Sequence, residues 1–294
     1  MNLDNVRKSL DSQEPAIVAK GLQLIGRFGK LADLSAVLNF TKSTNSLLKM
    51  AAVSAASELI RSNLITHFDK MEPAMRQKLG TIMETLAPPV IDDIQKDLFC
   101  DDDLRRVRAI QILGLLKKNP RIREILANLV QDRNEKIRAT AVNLLGKIIG
   151  PEDQELVLSL LNDKDKRVRA NTVEALESVG NKKIVPLLLR FRKDPNNRIR
   201  GNVLKALFNL GFTDIEKDLL EMLENPDDFL RASGLWVISK IGIHSVTLED
   251  QSGYHLLSDN EMVLINAKNA LKSLGTPRAL GYLRHLEKTA VKAL

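Results

Sequence analysis

Five stretches of this 294-residue chain align on a shared arginine: RRVRAIQILGLL around Arg108, EKIRATAVNLLG around Arg138, KRVRANTVEALESVG around Arg169, NRIRGNVLKALFNLG around Arg200 and DFLRASGLWVISKIG around Arg231. The anchors lie 30, 31, 31 and 31 residues apart. A fixed period in this range is the mark of a repeat architecture, in which one supersecondary unit is used many times. The register extends backwards to Lys78, Lys49 and Val18 through weaker matches such as LLKMAAVSAASELI, and forwards to Leu264 in MVLINAKNALKSLG after a two-residue insertion. About nine units then cover 1–294 as a single domain, with the best matches at 101–242, an irregular unit at 243–275 and a closing cap helix at 276–294.

Within a unit, apolar residues fall one before the anchor and four, seven and ten after it, as in Val168, Val173, Leu176 and Val179. That spacing is one face of an α-helix. A glycine follows eleven residues after the anchor at Gly180, Gly211, Gly242 and Gly275, where a helix C-cap tolerates positive φ. Upstream, QELVLSLLN (154–162) and KIVPLLLRF (183–191) read as a first amphipathic helix of the same unit. Each unit is therefore a helical hairpin. One hairpin cannot bury its stripe alone, so neighbours must stack, and the expected fold class is all-α: an α-α superhelix whose second helices line the inner wall. The TPLHxA and WxxLGxxY patterns of other repeats with similar periods do not occur.

Composition narrows the class further. Aromatic residues make up 4% of the chain and hydrophobic ones 44%, which suits aliphatic helix packing. A lone cysteine, Cys100, excludes an internal disulfide framework, and no signal-like or membrane-spanning run is found, so a cytoplasmic location is expected. The net charge of +7 is uneven: +1 over 1–100, +9 over 101–210 and −3 over 211–294.

An aspartate or asparagine stands six residues before the anchor in Asp132/Arg138, Asp163/Arg169, Asp194/Arg200 and Asn225/Arg231. This pairing resembles the hallmark of HEAT-like repeats, and the short period is similar to their bacterial and archaeal form, which phycobilisome lyases share. The resemblance implies that these side chains form a polar ladder linking neighbouring repeats, Arg108 included. It implies a fold and no reaction.

With core and ladder positions removed, the positions two before and two, five and nine after each anchor are left for solvent. The first column reads Arg106, Lys136, Arg167, Arg198 and Phe229; the others supply Thr140, Asn143, Asn171, Glu174, Asn202, Lys205, Asn209, Ser233 and Trp236. Cations, side-chain amides and one tryptophan at the end of the basic row suit an extended acidic or polar ligand, and they equally suit a solvated face that keeps a repeat protein soluble. The candidate contacts are Arg106, Lys136, Asn143, Arg167, Asn171, Arg198, Asn202, Lys205, Phe229 and Trp236. Residues 243–260, with His244, Tyr254 and His255, read as a polar stretch in place of a normal first helix.

No phosphate-binding glycine loop, metalloprotease helix, nucleophile elbow or CxxC pair occurs. The four histidines sit apart, and none is followed by glutamate, so the iron site of the repeat-built deoxyhypusine hydroxylases has no counterpart. The aromatic-rich segments expected around a bilin are missing too. No metal, cofactor or catalytic residue is expected. The reading is a non-catalytic scaffold that binds another protein, with no membrane association. The alternative is nucleic-acid binding through the basic central repeats, attracted by phosphates, and behind it a HEAT-like DNA glycosylase using Asp227 or Asp228 beside Trp236.

Overall fold

Helix starts govern this architecture. In a computed structural model, which describes residues 2–86, 89–116, 121–150, 154–243 and 245–292, one local pattern opens the second helix of seven units. Asn45, Asp102, Asn134, Asp165, Asn196, Asp227 and Asn260 each accept a backbone N–H of the helix that follows, satisfying donors that no intrahelical carbonyl can reach. The residue two positions earlier caps the cap: Asp132, Asp163, Asp194 and Asn225 accept the N–H of Asn134, Asp165, Asn196 and Asp227 at 2.8–2.9 Å. Four residues after the cap comes the anchor arginine. Arg138, Arg169 and Arg231 turn back and donate Nη1 to the main-chain carbonyls of Asp132, Asp163 and Asn225 at 2.8–2.9 Å.

Contacts divide the chain into two compact units, Met1–Leu144 and Leu145–Leu294, where the sequence predicts one domain. The first holds α1 (Leu3–Lys8), α2 (Pro15–Phe28), α3 (Leu34–Phe40), α4 (Ser46–His67), α5 (Pro73–Thr85), α6 (Pro89–Leu98), α7 (Asp103–Leu113), α8 (Arg121–Leu129) and α9 (Glu135–Leu145), the last reaching one residue past the boundary. α2 lies directly on α4. A methyl group added to Gly26 would come within 2.8 Å of the Ala55 backbone, so glycine there sets how closely the two helices approach. With no Gly or Pro between 46 and 67, α4 runs unbroken for 22 residues and packs on α7 as well as α2.

The second unit holds α10 (Gln154–Leu158), α11 (Lys166–Val179), α12 (Val185–Leu188), α13 (Asn197–Asn209), α14 (Glu216–Leu223), α15 (Asp228–Ile241), α16 (Val246–Tyr254), α17 (Glu261–Leu274) and α18 (Pro277–Lys292). α11, α13, α15 and α17 pack in succession, and α14 and α16 cover α15 and α17. Val168, Val173 and Leu176 are buried, as the helical spacing predicts, each stabilising the fold by roughly 2 kcal/mol. The four predicted glycines all adopt positive φ, between 61° and 96°.

Two expectations need correction. The first helices predicted at 154–162 and 183–191 are short α segments ending in 3₁₀ turns at Ser159–Asn162 and Leu189–Phe191; in the latter, Pro186 lacks an N–H and sits in the first turn of α12. The stretch 243–260 is not a polar substitute for a helix. Its residues fold as α16 and a 3₁₀ turn, with Leu248, Ser252, His255 and Leu256 buried at helical spacing; His244 lies outside the described residues.

Arg169 is half-buried and clamps the turn through Asp163 O (2.8 Å) and Lys164 O (3.2 Å). Replacing it with alanine should cost about 2 kcal/mol, since charge-assisted hydrogen bonds to main-chain carbonyls are lost. Equilibrium urea unfolding of R169A beside the wild type measures this.

Candidate binding face

The candidate contacts separate into two groups once the helices are packed. Arg106 does not face solvent. It is 7% exposed, donates Nε to Leu98 O at 2.7 Å and holds the Asp132 carboxylate of the next repeat, which raises its own pKa. The reason is register: α7 is capped by Asp102, so Arg106, four residues on, occupies the place of Arg138, Arg169 and Arg231. Alignment on Arg108 is two residues out, because the run RRVR offers two possible anchors. Arg108 instead reaches back to Asp69 and lies over the Phe68 ring at 5.5 Å.

Asn171 and Asn202 are also corrected, at 8% and 2% exposure. Both lie where one second helix crosses the next. Asn202 donates Nδ2 to Ala170 O (3.2 Å) and to the Glu174 carboxylate (2.7 Å), while Asn171 Oδ1 accepts from Arg198 at 2.9 Å. Arg198, although exposed, also pairs with Glu174 at 3.2 Å. Lys205 pairs with Glu177 at 2.7 Å, Asn209 donates to the same carboxylate, and the Lys205 ammonium lies 5.9 Å from the half-buried Trp236 ring. Thus Glu174 and Glu177 of α11 occupy most of the polar groups that α13 was expected to offer a ligand.

The remaining anchor, Arg200, is buried and donates to Glu221 of α14 at 3.1 Å. Asp227 caps α15, and Asp228 binds Arg231 and Asn260, so both carboxylates that the glycosylase alternative needs are engaged.

The second group remains at the surface. In the first unit, Lys136 and Asn143 are exposed, and Leu104 takes the same place after its cap as Lys136. In the second unit, the position two after the cap is filled on successive helices by Arg167, Arg198, Phe229 and Met262. Arg167 also pairs with its own cap, Asp165, at 3.0 Å, an interaction that holds the aspartate below the ordinary carboxylate range. Phe229 is 61% and Met262 38% exposed. Met262 was missed, although it stands two residues before the predicted anchor Leu264 and is legible from the period.

The folded class is an all-α repeat protein built of stacked helical hairpins. The family description "HEAT repeats" matches residues 96–168 and 154–239. Over residues 96–239 the chain is thus similar to HEAT repeats. No curated protein matches the chain. Among solved structures it is similar to "the complex of CpcE and CpcF of phycocyanin lyase from Nostoc sp. PCC7120", at 16% identity over 87% of this chain and 94% of that one, with a TM-score of 0.48. It is also similar to an X-ray structure of YIBA_ECOLI, at 16% identity over 92% of each chain, with a TM-score of 0.44. Among the described residues, no helix is long and apolar enough to cross a membrane, and no group of His, Cys, Asp and Glu is placed to hold a metal ion.

His255 gives the C-terminal hairpins an acid response near neutral pH. Its Nε2–H donates to Leu223 O at 3.1 Å, and burial pushes its pKa below the ordinary 6.5; Arg231 adds to the depression, while the Leu223 hydrogen bond and Asp228 oppose it. The unfolded chain therefore takes up this proton first as pH falls, and stability is lost below the ordinary value. Thermal unfolding should shift downward between about pH 7.5 and 5.5, and H255Q should flatten that part of the profile.

Proposed function

We propose that this chain is a non-catalytic scaffold that holds an extended segment of a partner protein across the starts of its second helices in the Leu145–Leu294 unit. The observation that carries the reading is the aligned row Arg167, Arg198, Phe229 and Met262, one residue from each of four helices packed in succession. HEAT repeats supply long surfaces on which many modest contacts add, and the row has two chemistries in sequence, cationic and then apolar.

Helix spacing turns the row into a ligand pattern. Packed helices lie about 8–10 Å apart, and an extended chain advances roughly 3.3 Å per residue, so every third residue of the partner meets a new helix. The matching segment carries two acidic residues and two large apolar residues at three-residue intervals. Both cations are partly engaged, Arg167 by Asp165 and Arg198 by Glu174.

Selection of a random peptide library on the full chain should enrich that pattern. F229A should weaken the best peptide about tenfold, as expected for removal of an aromatic anchor, and R167E should remove the acidic preference. Both side chains are exposed, so the unfolding free energy should stay within about 0.5 kcal/mol of wild type for F229A and about 1 kcal/mol for R167E, which also loses the Asp165 pair. Enrichment that is absent, or that survives both substitutions, contradicts the reading.

A further inference from the structure

The first helices of the same unit carry a separate feature that the scaffold reading does not use. Between the 3₁₀ turn Leu189–Phe191 and α14 lies a cleft of about 440 Å³, walled by Leu189 and lined by Arg190, Arg192, Lys193 and Lys217 around Asp218 and Glu221. Such a volume is in the range of small-molecule sites.

Arg192 is fixed in place. Its Nε donates to Asp218, a carboxylate only 1% exposed, at 3.0 Å; Nη2 donates to Asp218 as well and to Asp214 O at 3.3 Å; and the guanidinium lies 5.7 Å from the Phe212 ring centre. Nη1 makes no hydrogen bond among the described residues. The Glu221 carboxylate is shared by Lys193 at 3.3 Å and the buried Arg200 at 3.1 Å. Arg190 and Lys217 are exposed and have no carboxylate partner among the described residues.

Charge decides what this arrangement suits. Counting Arg190, Arg192, Lys193, Lys217 and Arg200 against Asp214, Asp218 and Glu221 gives five cations and three carboxylates, a surplus of two positive charges. A carboxylate ligand would neutralise one of them. A phosphate monoester carries about −1.5 to −2 near neutral pH and presents three acceptor oxygens, matching both the surplus and the three unengaged donors. The cleft is also larger than a bare oxyanion fills, and Leu189 offers an apolar wall for an organic body.

We propose that this cleft binds a phosphate monoester, with Arg192 as the fixed guanidinium and Arg190 and Lys217 closing on the remaining oxygens. Two sources share that chemistry: a phosphorylated side chain of a protein and a free metabolite such as a nucleoside monophosphate.

The test titrates blocked phosphoserine, adenosine monophosphate and inorganic phosphate separately into the isotope-labelled full chain and follows backbone amide shifts. At least one ester should shift the amides of residues 189–193 and 217–221 saturably, with Kd of about 1 mM or tighter, and should bind more tightly than inorganic phosphate. The tighter ester identifies the source. R190A and K217A should each weaken binding at least about tenfold with unchanged unfolding midpoints, while K240A on α15 leaves it unaltered. Shifts that never saturate, that spread evenly over all surface lysines, or that persist in R190A and K217A overturn the proposal.

Discussion

The structure depends on a capped turn repeated at the start of its second helices. An Asp or Asn caps the first free N–H groups; at Asn134, Asp165, Asn196 and Asp227 a second Asp or Asn two residues earlier fixes the N–H of the cap itself, and Arg138, Arg169 and Arg231 pull the carbonyls of their own turns inward. In a stack where each hairpin contacts only its neighbours, stability is a sum of unit and interface terms, and each interface requires its helix to enter at the same angle. The turn sets that angle from within the unit. Apolar residues such as Val168 and Leu176 can then meet the next helix without adjustment at every joint.

Polar contacts between neighbouring hairpins form a second layer, and they decide what remains for function. Arg106 to Asp132 and Arg192 to Asp218 each span 26 residues, and Lys205 to Glu177 spans 28. These offsets are one period less about one helical turn, as expected where adjacent helices in a stack are displaced along their axes. Cations of the basic middle segment thereby become internal braces, with partners that compensate for their partial removal from water. The local net charge over 101–210 consequently overstates what an external anion would meet.

The two surfaces argued for function differ in physical character. The row from Arg167 to Met262 is shallow and repetitive, and its specificity comes from the spacing of equivalent positions on successive helices. The cleft around Arg192 is local, and its specificity comes from a buried carboxylate that orients one guanidinium while two neighbouring cations stay unengaged. One suits a chain and the other a compact anion. Neither requires the other to be occupied.

The sequence by itself determined the hairpin unit, the period, the buried stripe and the glycine caps, because these follow from helix periodicity and backbone sterics within some twenty residues. It also placed Arg167 and Phe229 at the surface correctly, since both precede the buried stripe of their own helix. It could not distinguish Arg106 from Arg108 as an anchor, because that depends on which of three consecutive aspartates, Asp101 to Asp103, caps α7. Nor could it show that Asn171 and Asn202 lie at helix crossings, that Glu174 and Glu177 engage the cations one repeat on, or that α16 forms a helix with few apolar residues. Those outcomes rest on the displacement between packed helices, which arises only when one hairpin meets another, so tertiary structure alone settles them.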